Sequence, residues 1–196
     1  MSEVDQINAE KTAETNDRRA FLGKMTAAGM GLGLLGLGST VGAASMKMGL
    51  TEKDFRMGVI GPATLSRIAS QLAVLRATQP DTREFARFEL REAIAVTTVL
   101  RELQTPTPPM NAKAKATLAM IQAAAPGRDF DVAYITAQHD NHIFLMNLAT
   151  AYLQNTTPSE PTFPEQQGRH LATLALNQFT EHVELTARIL SELQQG

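Results

Sequence analysis

The chain has 196 residues, with 18 basic and 20 acidic side chains, four histidines, no cysteine and a formal charge of −2 at pH 7. That balance argues against a nucleic-acid binder, which would show a basic face. Without cysteine there are no disulfides, no thiolate metal sites and no thiol catalysis, so packing alone must hold the fold.

Residues 17–24 read Asp-Arg-Arg-Ala-Phe-Leu-Gly-Lys, placing Phe21 and Leu22 just behind the pair Arg18-Arg19. An uncharged, glycine-rich stretch from Met25 to Met46 follows. This resembles a twin-arginine export signal, in which a translocase reads the arginine pair and the apolar stretch crosses the membrane. An uncharged run of about 20 residues can also span a bilayer as a retained inner-membrane anchor. Composition favours the signal, because Gly29, Gly31, Gly33, Gly36, Gly38 and Gly42 each weaken a helix by up to ~1 kcal/mol. Val41-Gly42-Ala43 has the small-x-small pattern of a peptidase site, so cleavage is expected after Ala43 or Ala44. Residues 1–44 are thus read as signal, with the twin-arginine translocase as partner, and 45–196 as the periplasmic working domain. Residues 1–44 hold four basic and five acidic side chains, which leaves the working domain near −1. It is long enough for one domain with a proper core.

The working domain reads as helical almost throughout. Thr51 caps a first segment reaching Ile60, and Gly61-Pro62 kinks or restarts it before a stripe of Leu65, Ile68, Leu72 and Leu75. Pro80-Asp81 stops that helix, and Asp81 with Glu84 forms a capping box for the next. The second helix runs to about Gln104, with Phe85, Phe88, Val96, Val99 and Leu103 on one face. Pro106, Pro108 and Pro109 mark a loop, and a short alanine-rich helix spans about Asn111 to Ala125. A third long helix starts at a cap near Asp129 and ends near Gln154. A proline-bearing connection from Asn155 to Pro164 leads to a last helix ending near Gln194, with Leu171, Leu174, Ala175, Leu185, Ile189 and Leu193 on its stripe. No segment alternates with period two for long enough to make a strand. Four long amphipathic helices and one short one predict an all-α antiparallel bundle.

Three ionisable residues interrupt the apolar stripes. Glu92 lies four after Phe88 and four before Val96; His142 lies seven after Ile135 and four before Met146; His182 lies three before Leu185 and seven before Ile189. Burying such groups costs several kcal/mol unless they are paired, neutral or bound to a metal. One reading is a satisfied core network, with Glu92 pairing one histidine. The other is a carboxylate and two imidazoles converging from three helices, a set suited to zinc or iron. His139, three before His142, is a reserve ligand or part of a solvated face with Asp140 and Asn141. Asp131 reads as a capping residue in a first helical turn, where negative charge is favoured, and the Tyr134 hydroxyl as closing a core hydrogen bond.

Phe85-Ala86 leading to Glu92, Phe130-Asp131-x-x-Tyr134 followed eight residues later by His142, and His182 in the closing helix resemble a bacterial exported family. It is catalogued as domain of unknown function four-one-four-two. The resemblance covers roughly Asp54 to Leu193 and implies a ferritin-like bundle in the periplasm or outer membrane, with no established activity. By position, His142 and His182 match the family. Glu92 stands at its usual aspartate, Ala93 replaces a histidine, and Ala63-Thr64-Leu65-Ser66 lacks its first-helix glutamate.

A ferritin-type di-iron centre needs two Glu-x-x-His motifs; this chain has none. No phosphate-binding loop or nucleophile elbow is present either. The expected function is therefore a non-catalytic binding or envelope-stress accessory protein. The alternative is a transition-metal protein or metalloenzyme using Glu92, His142 and His182.

Overall fold

A computed structural model describes residues 49–155 and 157–195. Arg18, Arg19, Phe21, Leu22 and the cleavage positions Ala43 and Ala44 lie outside the described residues. Those residues form an all-α bundle of five helices: α1 (Glu52–Arg76), α2 (Pro80–Glu102), α3 (Ala112–Ala123), α4 (Arg128–Leu153) and α5 (Phe163–Gln195). Among the described residues there is no strand, and no helix is long and apolar enough to cross a membrane.

Thr51 caps α1 as its sequence predicts. Its side chain accepts from the Asp54 amide, and the Asp54 carboxylate accepts from the Thr51 amide. Contrary to the expected kink or restart, α1 runs unbroken through Pro62. Proline inside a helix costs roughly 3 kcal/mol, and the buried ridge of Phe55, Val59, Ile60 and Ala63 carries the helix across it. The capping box expected at Asp81 and Glu84 does not form. Gln79 is the N-cap, its side chain accepting from the Thr82 amide with Pro80 in the first turn, while Asp81 is drawn off to Arg188 at 2.7 Å. At α4 the cap falls near Asp129 as expected, on Gly127 at φ 90°, with no side-chain bond. Asp131 does not cap its own helix. Fully buried, it accepts from the Thr78 and Gln79 amides and the Thr78 hydroxyl, tying the α1–α2 turn to α4.

Cross-bundle contacts give the helix directions. Thr78 at the end of α1 meets Asp131 at the start of α4, and Leu50 before α1 meets Asn155 after α4. Arg128 at the start of α4 reaches Leu193 near the end of α5, and Asp81 at the start of α2 reaches Arg188 late in α5. Neighbouring long helices are therefore antiparallel, and the diagonal pairs α1/α5 and α2/α4 are parallel. The link from α2 to α4 must travel the length of the bundle. It does so through the proline segment, which receives Arg56 at Leu103 and Thr105, and through α3, whose end receives Arg76 at Gln122 and Ala124.

The core falls into two apolar halves. One gathers Phe55, Val59, Ile60, Leu100, Leu145 and Tyr152; the other gathers Phe85, Ile121, Phe130, Tyr134, Ile135 and Ile189. Between them lies a buried polar layer of Ser66, Glu89, Gln138, His142 and His182. The layer draws on all four long helices.

Candidate metal centre

On α2 the buried stripe is Phe85, Ala86, Glu89, Ala93, Thr97 and Leu100. It is rotated from the expected face, and Phe88 and Val99 are exposed. Glu89 therefore points inward from α2, His142 from α4 and His182 from α5, each almost fully buried. Glu89 Oε2 lies 3.2 Å from His142 Nε2 and 2.9 Å from His182 Nδ1. The two ring nitrogens are 3.1 Å apart, so three donor atoms form a nearly equilateral triangle.

The partners outside this triangle fix how the rings present themselves. His142 Nδ1 sits 2.7 Å from the Gln138 carbonyl oxygen, which can only accept, so Nδ1 carries the hydrogen and Nε2 turns a lone pair inward. His182 Nε2 lies 3.2 Å from Glu92 Oε2 and 3.1 Å from the Gln178 amide nitrogen, and with its hydrogen turned to Glu92 the ring presents Nδ1 to the triangle as an acceptor. Gln178 donates to Glu92 Oε1 at 2.5 Å and holds that carboxylate in place. Ser66 donates to Glu89 Oε1. Histidine ligands are commonly oriented in this way, the outer nitrogen donating to a carbonyl or carboxylate.

Glu89 Oε2 itself is left without a hydrogen bond, although two ring nitrogens stand close to it. A buried carboxylate oxygen beside two ring nitrogens is a donor set that can share one cation. Without a metal, a proton takes that part. Burial alone would push Glu89 up, but His142 and His182 hold it down at about 2. Burial would push His182 down, but the Glu89 and Glu92 carboxylates beside its two nitrogens lift it to about 9.

Of the residues singled out in the sequence, His142 and His182 meet in one cluster, Glu89–His142–His182. Glu92 lies outside the triangle, half-buried, on the far nitrogen of His182. Its place is taken by Glu89, one turn earlier, because the buried face of α2 is lined by alanine and threonine and not by the large residues that mark a stripe. His139 is half-buried, with Nδ1 2.9 Å from the Thr186 hydroxyl, and does not join the cluster. Ser66, Gln138 and Gln178 were also missed; a run of small residues at three- and four-residue spacing, Ala86-Glu89-Ala93-Thr97, was the available signal. Tyr134 does close a core hydrogen bond, 2.8 Å from Ser70.

The donor spacing bears on which ion fits. Donors about 2.1 Å from an ion stand ~3.0 Å apart at neighbouring octahedral positions and ~3.4 Å apart in a tetrahedron. The observed 2.9–3.2 Å is close enough to both for the three atoms to share one ion. Two imidazoles and one carboxylate on one face of such an ion leave positions open on the other. Comparisons with family models, curated proteins and solved structures return no match for the chain.

Proposed function

We propose that this protein is an exported helical-bundle metalloprotein holding one divalent transition metal through Glu89 Oε2, His142 Nε2 and His182 Nδ1. The observation that carries the reading is the buried, unbonded Glu89 Oε2 with two imidazole nitrogens within 3.2 Å. A carboxylate with two imidazoles suits ferrous iron and zinc alike. Bound there, the metal supplies Lewis acidity and, if iron, a one-electron couple. Glu92 and the Gln138 carbonyl orient the rings, Ser66 orients the carboxylate, and the apolar halves above and below exclude water.

The diagonal parallel pairs and the single long crossover support a ferritin-like arrangement of helices. The donor set differs from the di-iron centres of that architecture, since one glutamate and two histidines suffice for one ion. The twin-arginine signal read at Arg18-Arg19 supports a periplasmic destination. A route that carries folded proteins also suits a domain that takes up its metal before export.

The test is anaerobic reconstitution with ferrous iron, or with cobalt(II) as its stable substitute, followed by elemental analysis. About one equivalent should remain after desalting from wild type, and a large fraction of it should be lost in Glu89→Gln. Less than about a tenth of an equivalent in the wild type overturns the metal reading. The layer is then a buried ionic network, and a binding or envelope-stress accessory role takes the place of the metalloprotein.

A further inference from the structure

Glu89 and His142 also form the polar end of a cavity of about 190 Å³ between α2 and α5. The triangle is closed on its other side by Phe85, whose ring lies edge-on to His182 at 5.0 Å and to His142 at 6.2 Å. Phe85 sits one turn before Glu89 on α2, whereas Ala93 and Val96, which line the cavity, follow it. On α5 the wall is Leu171 and Ala175, and Ala63 of α1 adds to it. The space exists because alanine stands at three of these wall positions. Its mouth passes Leu174, which is 74% exposed.

The cavity thus joins a hydrocarbon wall to a cluster of donor atoms, one of them an unbonded, buried carboxylate oxygen. An apolar space of roughly 150 Å³ accepts a benzene-sized guest, so this one has room for a ring and a short polar head. One glutamate leaves a divalent ion with a single uncompensated positive charge in the buried set. Glu92 also lines the cavity, but its carboxylate is taken up by the Gln178 amide and the outer nitrogen of His182 and does not reach the triangle. An anionic head on the ion would cancel it where burial makes charge most costly.

On the reading that the triangle holds a metal, we infer that the cavity is a binding site for a small carboxylic acid. Its carboxylate occupies the metal's open positions and its apolar body, about one ring in size, lies against Ala93, Val96 and Ala175. No bond is made or broken in this step; it is recognition by charge at one end and by shape at the other.

Cobalt(II)-loaded protein titrated with benzoate and with acetate tests the inference, because the two probes share a head and differ only in the body. The cobalt visible bands report the head, and the difference in affinity reports the cavity. Benzoate should act at concentrations about tenfold or more below acetate, from burial of the ring. Ala175→Leu and Val96→Phe should each remove the preference while keeping the cobalt content. The two variants lie on different helices, so if one fails to fold by circular dichroism the other still gives the readout. Equal affinities, no spectral change on a fully loaded protein, or a preference untouched by the folded variants overturns the cavity site and leaves the metal reading standing. Failure to retain cobalt at all overturns the metal reading, and this inference with it.

Discussion

Glu89 and Glu92 are three residues apart and of one kind, yet burial gives them different work. Glu89 lies among groups that cannot spare it, and Glu92 lies on the outer nitrogen of one ring. Glu92→Gln should therefore keep the fold and weaken metal binding by about 10–100-fold, the usual effect of losing an orienting partner, as read by competition with a chelating dye. An unchanged affinity would assign Glu92 to the solvated surface alone. In the metal-free protein the proton shared in this layer makes stability depend on pH. His182 is raised from 6.5 to about 9, so its contribution is complete below about pH 6.5 and disappears as pH rises through 9. Glu89 is lowered from 4.5 to about 2, so its contribution is complete above about pH 4.5 and is lost as pH falls through 2. Urea midpoints of metal-free protein should hold between those limits and fall from neutrality toward pH 9. In Glu89→Gln the high-pH fall should shrink, with Glu92 alone left to raise the ring, and His182 should titrate below 9 by NMR. A wild-type midpoint that rises over pH 7–9 contradicts the assignment.

At the scale of elements, the helix count, the Thr51 cap, the proline loop and the bundle were legible in the sequence, because periodicity and breakers act locally. The rotation of α1 and α2 was not, whereas Ala175, Ile189 and Leu193 of the α5 stripe are buried as expected. Leu75 and Leu174 have the hydropathy of core positions, yet they are 84% and 74% exposed. The buried face of α1 relies instead on Ala63, Ser66, Ala69, Ser70 and Ala73, and that of α5 adds Gly168 and Ala172. Small residues let backbones approach closely, and hydropathy ranks them too low to outline a face. The same error of rotation hid Glu89 behind Glu92, while His142 and His182, flanked by residues that are truly buried, were found. Asp131 illustrates a second limit: its partners Thr78 and Gln79 are more than fifty residues away, so a tertiary role was read as a local one. With three donors on the α1–α2 turn deprived of their buried acceptor, Asp131→Ala should lower stability by about 1–3 kcal/mol, seen as a lower thermal midpoint. A shift within about 0.5 kcal/mol would mean that the α1–α2 turn holds itself. Pro62→Ala should act oppositely, restoring a helix bond and raising the midpoint unless the ring is needed for packing against α1's neighbours.

For the whole molecule, the polar layer sits midway along the bundle between two apolar halves, and the cavity past Leu174 is the way in to its ligands. Metal binding to the folded state alone should therefore stabilise the domain, by about 2.7 kcal/mol at a hundredfold excess over the dissociation constant. For a domain of this size that is a rise of roughly 5–10 °C in thermal midpoint. The same burial connects the site to the opening arginine pair. A ligand set assembled from α2, α4 and α5 does not exist in an unfolded chain, and a folded chain admits metal through the narrow cavity past Leu174. A translocase that accepts folded cargo allows loading in the cytoplasm, where the cell controls which metal is offered. Arg18→Lys with Arg19→Lys should therefore leave metal-loaded protein in the cytoplasm. A signal that threads the chain unfolded should deliver it to the periplasm with little of the original metal or with a different one. Fractionation followed by elemental analysis separates the outcomes. Full occupancy by the same metal after unfolded export would place loading outside the cytoplasm and leave the folded-protein route without a chemical reason in this protein.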